Sequence, residues 1–312
     1  MKIGIVGAGN VGACAAFALV QRRSASEIVL IDANPALTAA QCQDIRHSTP
    51  FAGACRIIDG RWSDLADSEV VILAAGVNQR PGETRIDLLG RNAAVFQDVI
   101  PRVLDYCRPV FLVATNPVDI MTSIAGRMAG DPGRVIGSGT ILDTARFRTL
   151  LATHIGVSVQ SIHAHVLGEH GDSEVLCWSD ATIGGVPLAR VADEFNRPIS
   201  EADRRRIDAD VRNAAYRIIE GKGATWFGIA AGLSRIVEAI GGNERALLTV
   251  SAAPAHGGSG PTLSLPRLVG AGGVLHTLTP ALDSQEKRLL EASRNVLERV
   301  LAQIALPPTP AH

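Results

Sequence analysis

Short, almost uninterrupted runs of Val, Ile and Leu recur through the first half of the chain, with helix-compatible segments between them. The runs are Ile3 to Val6, Ile28 to Ile31, Val70 to Leu73, Val110 to Val113 and Val135 to Ile136. Strands that are buried on both faces have this composition, and their alternation with helices is typical of a parallel sheet covered on both sides. The pattern therefore predicts an α/β fold with a doubly wound parallel sheet.

The pattern changes beyond about residue 145. Apolar residues recur at helical spacing from Glu201 to Glu220, and again along a last helix between Leu289 and Ile304. Stretches rich in Gly and Pro at 253–261 and 270–273 are typical of loops between shorter strands. We therefore expect two domains, the doubly wound sheet over residues 1–144 and an α+β domain over residues 145–312.

Charge and cysteine content argue against several classes of protein. The 312 residues include 30 basic and 31 acidic side chains, so no overall field favours nucleic acid or an anionic membrane surface. The five cysteines never form a Cys-x-x-Cys pair, which argues against a disulfide framework or a thiolate zinc site. No export signal or spanning segment is recognised. We expect a cytoplasmic protein with no metal, nucleic-acid or membrane partner.

A glycine-rich turn follows the first predicted strand. The strand runs directly into Gly7-Ala8-Gly9-Asn10-Val11-Gly12, which a helix-compatible segment follows. Gly7 permits a tight turn, Gly9 lets a pyrophosphate approach the backbone at the helix N-terminus, and Gly12 lets helix and strand pack closely. By itself the motif is equally consistent with an ordinary strand-to-helix turn.

Asp32 favours a dinucleotide as the ligand of this turn. It ends the next apolar run about twenty residues after the last glycine, where a carboxylate accepts both ribose hydroxyls and repels a 2′-phosphate. The alternative role, a cap for the turn before Asn34-Pro35, is less favoured. The sequence therefore predicts a Rossmann domain that binds NAD rather than NADP, with contacts from Gly7, Gly9, Val11, Gly12 and Asp32.

Two further strand ends are predicted to face the ligand crevice of the open sheet. These strands end in Ala74-Ala75-Gly76-Val77 and in Ala114-Thr115-Asn116-Pro117-Val118-Asp119. Asn116 is expected to bond to the substrate or the nicotinamide, although an Asn-Pro turn occurs in any fold. The cofactor contacts predicted at these ends are Gly76, Val77, Ala114, Thr115 and Asn116.

His170 has the most distinctive surroundings of the eight histidines. It lies in Leu167-Gly168-Glu169-His170-Gly171-Asp172, where small neighbours leave room for a substrate and carboxylates are at hand to tune an imidazole. Asp143 and Arg146, three residues apart, form either a surface ion pair or a functional pair. In the functional alternative Asp143 fixes the tautomer of His170, and Arg146 holds a substrate carboxylate with two hydrogen bonds.

Together these motifs resemble those of the lactate and malate dehydrogenase family, from Lys2 to the final helix. The most specific marks are the glycine-rich turn, Asn78 to Arg85, Ala114 to Asp119, Gly139 to Arg146 and Gly168 to Asp172. The resemblance implies an NAD-dependent oxidoreductase of glycolysis whose second domain binds substrate and carries out catalysis. The implied reaction is reversible hydride transfer between NADH and pyruvate, giving L-lactate.

The resemblance also implies individual roles. His170 is similar to the proton donor and acceptor at the substrate oxygen, and Asp143 to the carboxylate that holds it. Arg146 resembles the residue that clamps the substrate carboxylate. Arg85 resembles a mobile cation that polarises the carbonyl when its loop closes. The implied substrate-binding residues are Gln79, Arg85, Asn116, Asp119, Asp143, Arg146 and Thr225.

Substrate choice is predicted to depend on Gln79. Malate dehydrogenases of the family place arginine there, because a second carboxylate buried without a partner costs about 3 to 5 kcal/mol. Gln79 is uncharged and Glu83 adds a negative charge, which favours pyruvate over oxaloacetate. Arg80 is adjacent, so a slip of one residue would supply the missing cation, but Pro81-Gly82 and the spacing to Arg85 favour Gln79 as the inward residue.

Regulation and assembly are implied by the resemblance alone. Arg148 and His163 fall where allosteric bacterial members bind fructose 1,6-bisphosphate between subunits, although an exposed helix arginine and a strand-edge histidine would look the same. The family is usually tetrameric, so a homotetramer is expected. The alternatives for function are malate dehydrogenase, a broader 2-hydroxy-acid dehydrogenase and, outside enzymes, a catalytically silent NAD-binding sensor.

Overall fold

Strands and helices alternate through the first half of the chain, as the apolar runs predict. The computed structural model describes residues 1–77, 85–254 and 260–304, with residue 85 described by its backbone alone. The elements are β1 (Lys2–Val6), α1 (Asn10–Gln21), β2 (Glu27–Ile31), α2 (Pro35–Ala52), β3 (Arg56–Asp59), β4 (Val70–Leu73), α3 (Arg85–Leu104), β5 (Val110–Val113), α4 (Val118–Ala129) and β6 (Val135–Gly137). The apolar pattern missed β3, because Arg56 and Asp59 flank only two apolar residues.

These six strands form a parallel sheet in the order β3-β2-β1-β4-β5-β6. Nearly every residue of β1, β4 and β5 is buried, which explains their continuous apolar composition. The order of connection reverses between β1 and β4, and a ligand crevice opens at such a reversal, outside the carboxyl ends of the strands. The predicted doubly wound sheet is confirmed.

The second half mixes helices with antiparallel strands, which confirms the predicted α+β character. Its elements are α5 (Ile141–Ile155), β7 (Ile162–Leu167), β8 (Val175–Ile183), β9 (Val186–Pro187), α6 (Leu188–Glu194), α7 (Glu201–Lys222), α8 (Phe227–Gly241), β10 (Ala246–Ala252), β11 (Leu263–Gly270), β12 (Gly273–Thr277) and α9 (Ser284–Ala302). β7, β8 and β9 form a sheet of their own, whereas β10 pairs with β6 and extends the large sheet through β11 and β12. The predicted division at 144/145 falls within α5 and stays a prediction.

Two hydrophobic cores cover the two faces of the large sheet. One contains α1, α2 and α8, and the other contains α3, α4 and α9. Leu289 of α9 is 48% exposed, so the packed face of that helix is narrower than its apolar pattern suggested. Within the described residues, no helix is long and apolar enough to cross a membrane.

The glycine-rich turn between β1 and α1 has the steric demands that its sequence predicted. Gly7 has a φ of +107°, a conformation that L side chains rarely adopt. A Cβ on Gly12 would lie 1.8 Å from the carbonyl oxygen of Gly7, so only glycine fits there. Gly9, by contrast, has an ordinary φ of −68°, and a Cβ there would meet nothing within 4 Å among the described atoms.

We expect Gly12→Ala to destabilise the protein and Gly9→Ala, the matched control, to leave it unchanged. The added methyl at position 12 must displace the turn, which typically costs about 1 to 3 kcal/mol of unfolding free energy. The methyl at position 9 enters open space, so its effect should stay within about 0.5 kcal/mol. Thermal unfolding of the two ligand-free variants measures the difference, and equal melting temperatures would contradict the steric argument.

Candidate functional site

The N-terminus of α1 is open towards the crevice. Gly9 precedes the helix, and in the described part of the chain no side chain caps its first amides and no acidic residue lies in its first turn. The free amides and the helix dipole favour an anion, and the open space at Gly9 lets a phosphate reach the backbone. Val11, two residues after Gly9, is half-buried. The turn therefore has the shape and polarity of a pyrophosphate site.

Asp32 fixes this turn from the end of β2. One carboxylate oxygen accepts a hydrogen bond from the backbone N–H of Ala8 at 2.7 Å, and the other accepts from that of Asn34 at 2.9 Å. Asp32 therefore caps the turn before Asn34-Pro35, as the alternative role stated, and it also supports the glycine-rich turn; its contact with the ribose hydroxyls stays a prediction. Each carboxylate oxygen has further acceptor capacity, which leaves Asp32 able to bind ribose hydroxyls.

The ends of β4 and β5 form the opposite wall of the crevice and are tied together by Asn92. This buried side chain of α3 accepts from the Val77 N–H at 2.8 Å and donates to the Asn116 carbonyl at 3.0 Å. Thr115 adds a bond from its hydroxyl to the Ala75 carbonyl at 2.7 Å. Asn92 was not predicted from sequence, because a polar residue within an amphipathic helix is ordinarily exposed.

Asp143, Arg146 and His170 lie together, as the functional alternative predicted. Asp143 lies in the first turn of α5 and Arg146 in the second, while His170 follows β7. His170 donates from Nδ1 to Asp143 Oδ2 at 2.6 Å, and Arg146 donates from Nη1 to Oδ1 at 2.7 Å. Only 3% of the Asp143 side chain is exposed, against 15% for Arg146 and 29% for His170. Asp143 and Arg146 therefore do not form a solvated surface ion pair.

The electrostatics of this cluster favour a charged imidazole. Burial lowers the pKa of His170, but the adjacent Asp143 carboxylate outweighs it and raises the pKa to about 9. Burial also opposes ionisation of Asp143, yet His170 and Arg146 hold the pKa of that carboxyl below its ordinary value. Because Nδ1–H is committed to Asp143, Nε2 is the ring nitrogen left to exchange a proton with a ligand.

Asp119 of α4 fixes the backbone of His170. Its two carboxylate oxygens accept from the Ser251 hydroxyl at 2.6 Å and from the His170 N–H at 2.7 Å. Burial raises the pKa of Asp119 to about 6 although both hydrogen bonds favour the charged form. A direct substrate contact by Asp119 stays a prediction, since the structure gives its carboxylate these other partners.

The other predicted residues lie on other elements or outside the described part of the chain. Gln79 and the rest of residues 78–84 are outside it, as is the side chain of Arg85 at the start of α3. Thr225 is half-buried between α7 and α8, and Asn116 is exposed at the end of β5. Among the described residues, no group of three or more His, Cys, Asp or Glu side chains is arranged to hold a metal ion.

A dinucleotide crevice beside a histidine that can exchange a proton is the arrangement of an NAD-dependent dehydrogenase. Residues 1–137 match the lactate/malate dehydrogenase NAD binding domain, and residues 140–305 match the lactate/malate dehydrogenase alpha/beta C-terminal domain. The chain therefore belongs to the lactate/malate dehydrogenase family, and its cofactor is NAD.

Individual relatives and a solved structure are similar to this chain over nearly its whole length. An L-lactate dehydrogenase of Thermus aquaticus is 53% identical over 96% of this chain and 97% of the relative. The L-lactate dehydrogenase of Deinococcus radiodurans is 50% identical over 98% of this chain and 100% of the relative. The minor L-lactate dehydrogenase of Enterococcus mundtii, a solved structure, is 38% identical with a TM-score of 0.93, over 98% of this chain and 99% of that one. The predicted family, fold and cofactor are confirmed.

We expect the imidazole of His170 to titrate near pH 9, and to titrate far lower in an Asp143→Asn variant. The amide cannot stabilise the imidazolium, while the burial that lowers the pKa of His170 remains, so the midpoint should fall clearly even though Asp119 and Glu174 still raise it. Titration of the labelled ring carbons by NMR measures both values.

Asp172→Asn is the control for this titration. Asp172 lies two residues from His170, and its Oδ1, which asparagine retains, accepts from Tyr216 at 3.2 Å. The His170 midpoint should therefore stay close to that of the unmodified protein. An equal fall in both variants would contradict the assignment of the raised pKa to Asp143.

Proposed function

We propose that the chain is an NAD-dependent L-lactate dehydrogenase that transfers hydride reversibly between NADH and pyruvate. The observation that carries the proposal is the contact of His170 with the buried Asp143 at 2.6 Å, with Arg146 on the other oxygen of the same carboxylate at 2.7 Å. Relatives called L-lactate dehydrogenase match it along nearly their whole length, which supports the same activity here.

His170 is proposed to supply the proton of the reaction. Bound NADH would supply the hydride for the carbonyl carbon of pyruvate, and the electron pair of the C=O π bond would move to the oxygen. His170 gives that oxygen its Nε2 proton, and Asp143 stabilises the imidazolium before transfer. With a pKa of about 9, His170 carries this proton at neutral pH. The reverse reaction returns the hydroxyl proton of lactate to a neutral imidazole.

Arg146 and Arg85 are proposed to bind and polarise the substrate. The guanidinium of Arg146 uses Nη1 for Asp143, and its other N–H donors are enough to hold a carboxylate with two hydrogen bonds. Burial of the site strengthens that charge interaction. The roles of Arg85 at the carbonyl and of Thr225 near the methyl group rest on the family resemblance alone.

Gln79 is proposed to select pyruvate over oxaloacetate, so kcat/KM with NADH should be larger for pyruvate. Gln79→Arg supplies a partner for the second carboxylate of oxaloacetate. The ratio of kcat/KM for oxaloacetate to that for pyruvate should then rise roughly 100-fold, the equivalent of about 3 kcal/mol. Steady-state kinetics of NADH oxidation with both keto acids measures the ratio.

Arg80→Gln is the matched control, because it tests the register of the loop. If Gln79 is the inward residue, the substrate ratio of this variant should stay near that of the parent. A larger kcat/KM for oxaloacetate in the parent protein, or no shift in Gln79→Arg, would sink the substrate assignment. NADH binding without turnover of any 2-keto acid would support the silent sensor instead.

A homotetramer in the cytoplasm is the proposed state of the enzyme. Exposed aromatic side chains on α1, α2 and α8 support an interface with other subunits: Phe17 is 47% exposed, Phe51 89% and Phe227 69%. These three helices are neighbours, because α1 packs against both others. All five cysteines are free thiols, which is consistent with a reducing compartment.

Arg148 and His163 are proposed to bind an anionic effector, fructose 1,6-bisphosphate. Arg148 of α5 donates from Nε to the carbonyl of Ala164 at 2.9 Å, which brings it beside the exposed His163 on β7. Burial, together with the charges of Arg148 and His163, lowers the pKa of the neighbouring His165 to about 4. A bisphosphate would compensate this concentration of positive charge.

We expect fructose 1,6-bisphosphate to lower the KM for pyruvate several-fold, and His163→Gln to weaken that effect. Glutamine keeps a polar group but loses the charge that faces the phosphate. His276→Gln, on the exposed strand β12, is the control and should respond like the parent. Initial rates with and without effector measure the response, and unchanged pyruvate kinetics in the parent protein would remove the effector from the proposal.

A further inference from the structure

Residues 168–174 form the turn that carries His170, here called the histidine turn. Its first half is fixed by three elements. Gly168 exchanges two backbone hydrogen bonds of 2.9 Å with Ser264 of β11, Ser293 of α9 accepts from the Glu169 N–H at 2.8 Å, and Asp119 accepts from the His170 N–H. These contacts fix the backbone from which the imidazole of His170 extends.

Arg212 of α7 holds the backbone of the second half of the histidine turn, while side-chain bonds from Tyr216 to Asp172 at 3.2 Å and between Ser173 and Ser293 at 3.0 Å add to this contact. Arg212 donates from Nη1 to the carbonyl of Asp172 and from Nη2 to that of Glu174, both at 2.7 Å. Asp208, one helical turn earlier, accepts from Nε at 2.7 Å and from Nη2 at 3.1 Å. The planar guanidinium is therefore oriented by its own helix, and it fixes the chain just beyond His170.

The same arginine faces a buried carboxyl group. Glu174 is 4% exposed, and its Oε1 has no hydrogen-bond partner within residues 1–77, 85–254 and 260–304. Asp143, His170, Asp208 and Arg212 are the charged groups around it. Burial and the Asp143 carboxylate raise the pKa of Glu174 to about 8, while Arg212 acts in the opposite direction. An ionised Glu174 in turn helps to keep His170 protonated.

We propose that Arg212 is a positioning residue for His170, which anchors the histidine turn to α7 and supplies the positive charge that faces the buried Glu174. The proposal rests on the proposed function, because its effect is read out as pyruvate reduction. It assigns α7 two tasks at one site, since the same helix holds the histidine turn and leads into the predicted substrate contact at Thr225.

The anchoring role predicts a loss in kcat with little change in KM. In Arg212→Met the carbonyls of Asp172 and Glu174 lose their partner on α7 and the imidazole is misplaced. A displacement of about 1 Å at a reacting group costs roughly 100-fold in rate. We expect kcat to fall about 10- to 100-fold. KM for pyruvate should stay within about threefold, because Arg146 still binds the carboxylate and only transition-state interactions are lost.

Arg206→Met is the matched control for this loss. Arg206 lies on the same helix and pairs instead with Asp203 at 3.1 Å and Asp210 at 4.0 Å. Its substitution removes the same charge and volume from α7 but leaves the histidine turn alone. We expect its kcat to stay within about twofold of the parent, as for an ordinary exposed ion pair.

The charge role predicts a shift in the pH profile of pyruvate reduction. In the parent protein kcat/KM should fall as pH rises through the His170 pKa of about 9. Without Arg212, Glu174 keeps its proton to higher pH and no longer supports the imidazolium. The fall should therefore move to lower pH in Arg212→Met. It should not move in Arg212→Lys, which retains the charge but reaches fewer carbonyls and so still loses kcat.

Glu174→Gln identifies the route of the pH effect. Glu174→Gln alone should move the pH profile of kcat/KM to lower pH. When Arg212→Met is added to Glu174→Gln, the profile should not shift further, but kcat should still fall. Circular dichroism and NADH fluorescence titration establish that each variant is folded. If Arg212→Met does not fold, Arg212→Lys tests the anchoring role, and Glu174→Gln tests the charge role.

Three results would overturn the proposal. They are a kcat of Arg212→Met equal to that of Arg206→Met, a change confined to KM, and a pH profile that is the same in Arg212→Met as in the parent. A parent protein without pyruvate turnover would instead contradict the proposed function. The NMR titration of His170 in the same variants then tests the role of Arg212, because it needs no activity.

Discussion

The buried carboxylate of Asp143 is the interaction on which the site depends. A charge with 3% of its side chain exposed is tolerated only when it is paired and hydrogen-bonded, and here His170 and Arg146 each take one oxygen. Its place in the first turn of α5 adds the favourable field of a helix N-terminus. Loss of either partner leaves a buried charge that costs about 3 to 5 kcal/mol, so the three groups specify one another's positions.

The continuity of the large sheet brings this cluster to the dinucleotide crevice. The pairing of β6 with β10 joins the two halves of the chain, and beside that junction Asp119 of α4 bonds both Ser251 of β10 and the backbone of His170. His170 and the dinucleotide crevice are therefore held in a fixed relative position. This matters because hydride and proton must reach adjacent atoms of the same substrate.

Local features of this protein were predictable from sequence, and contacts across the fold were not. The glycine-rich turn was recognised because backbone geometry and close approach act within a few residues, as Gly12 illustrates. The pairing of Asp143 with His170, 27 residues apart, was one of two alternatives that the residues left open, and the family resemblance favoured it. Asn92 and Arg212 were missed, because a polar residue on a helix has the same pattern whether it faces water or reaches a neighbouring turn.

The raised pKa of His170 determines how each direction of the reaction depends on pH. A group with a pKa of about 9 is roughly 99% protonated at pH 7, which is the form that reduces a keto acid. Oxidation of a hydroxy acid begins from the neutral imidazole, which becomes the main form only at higher pH. Since a catalyst leaves the overall equilibrium unchanged, Asp143 and the groups around it shift the pH at which each direction is fastest. A weaker carboxylate partner would bring the pH range of hydroxy-acid oxidation closer to neutrality, at the expense of the proton that keto-acid reduction requires.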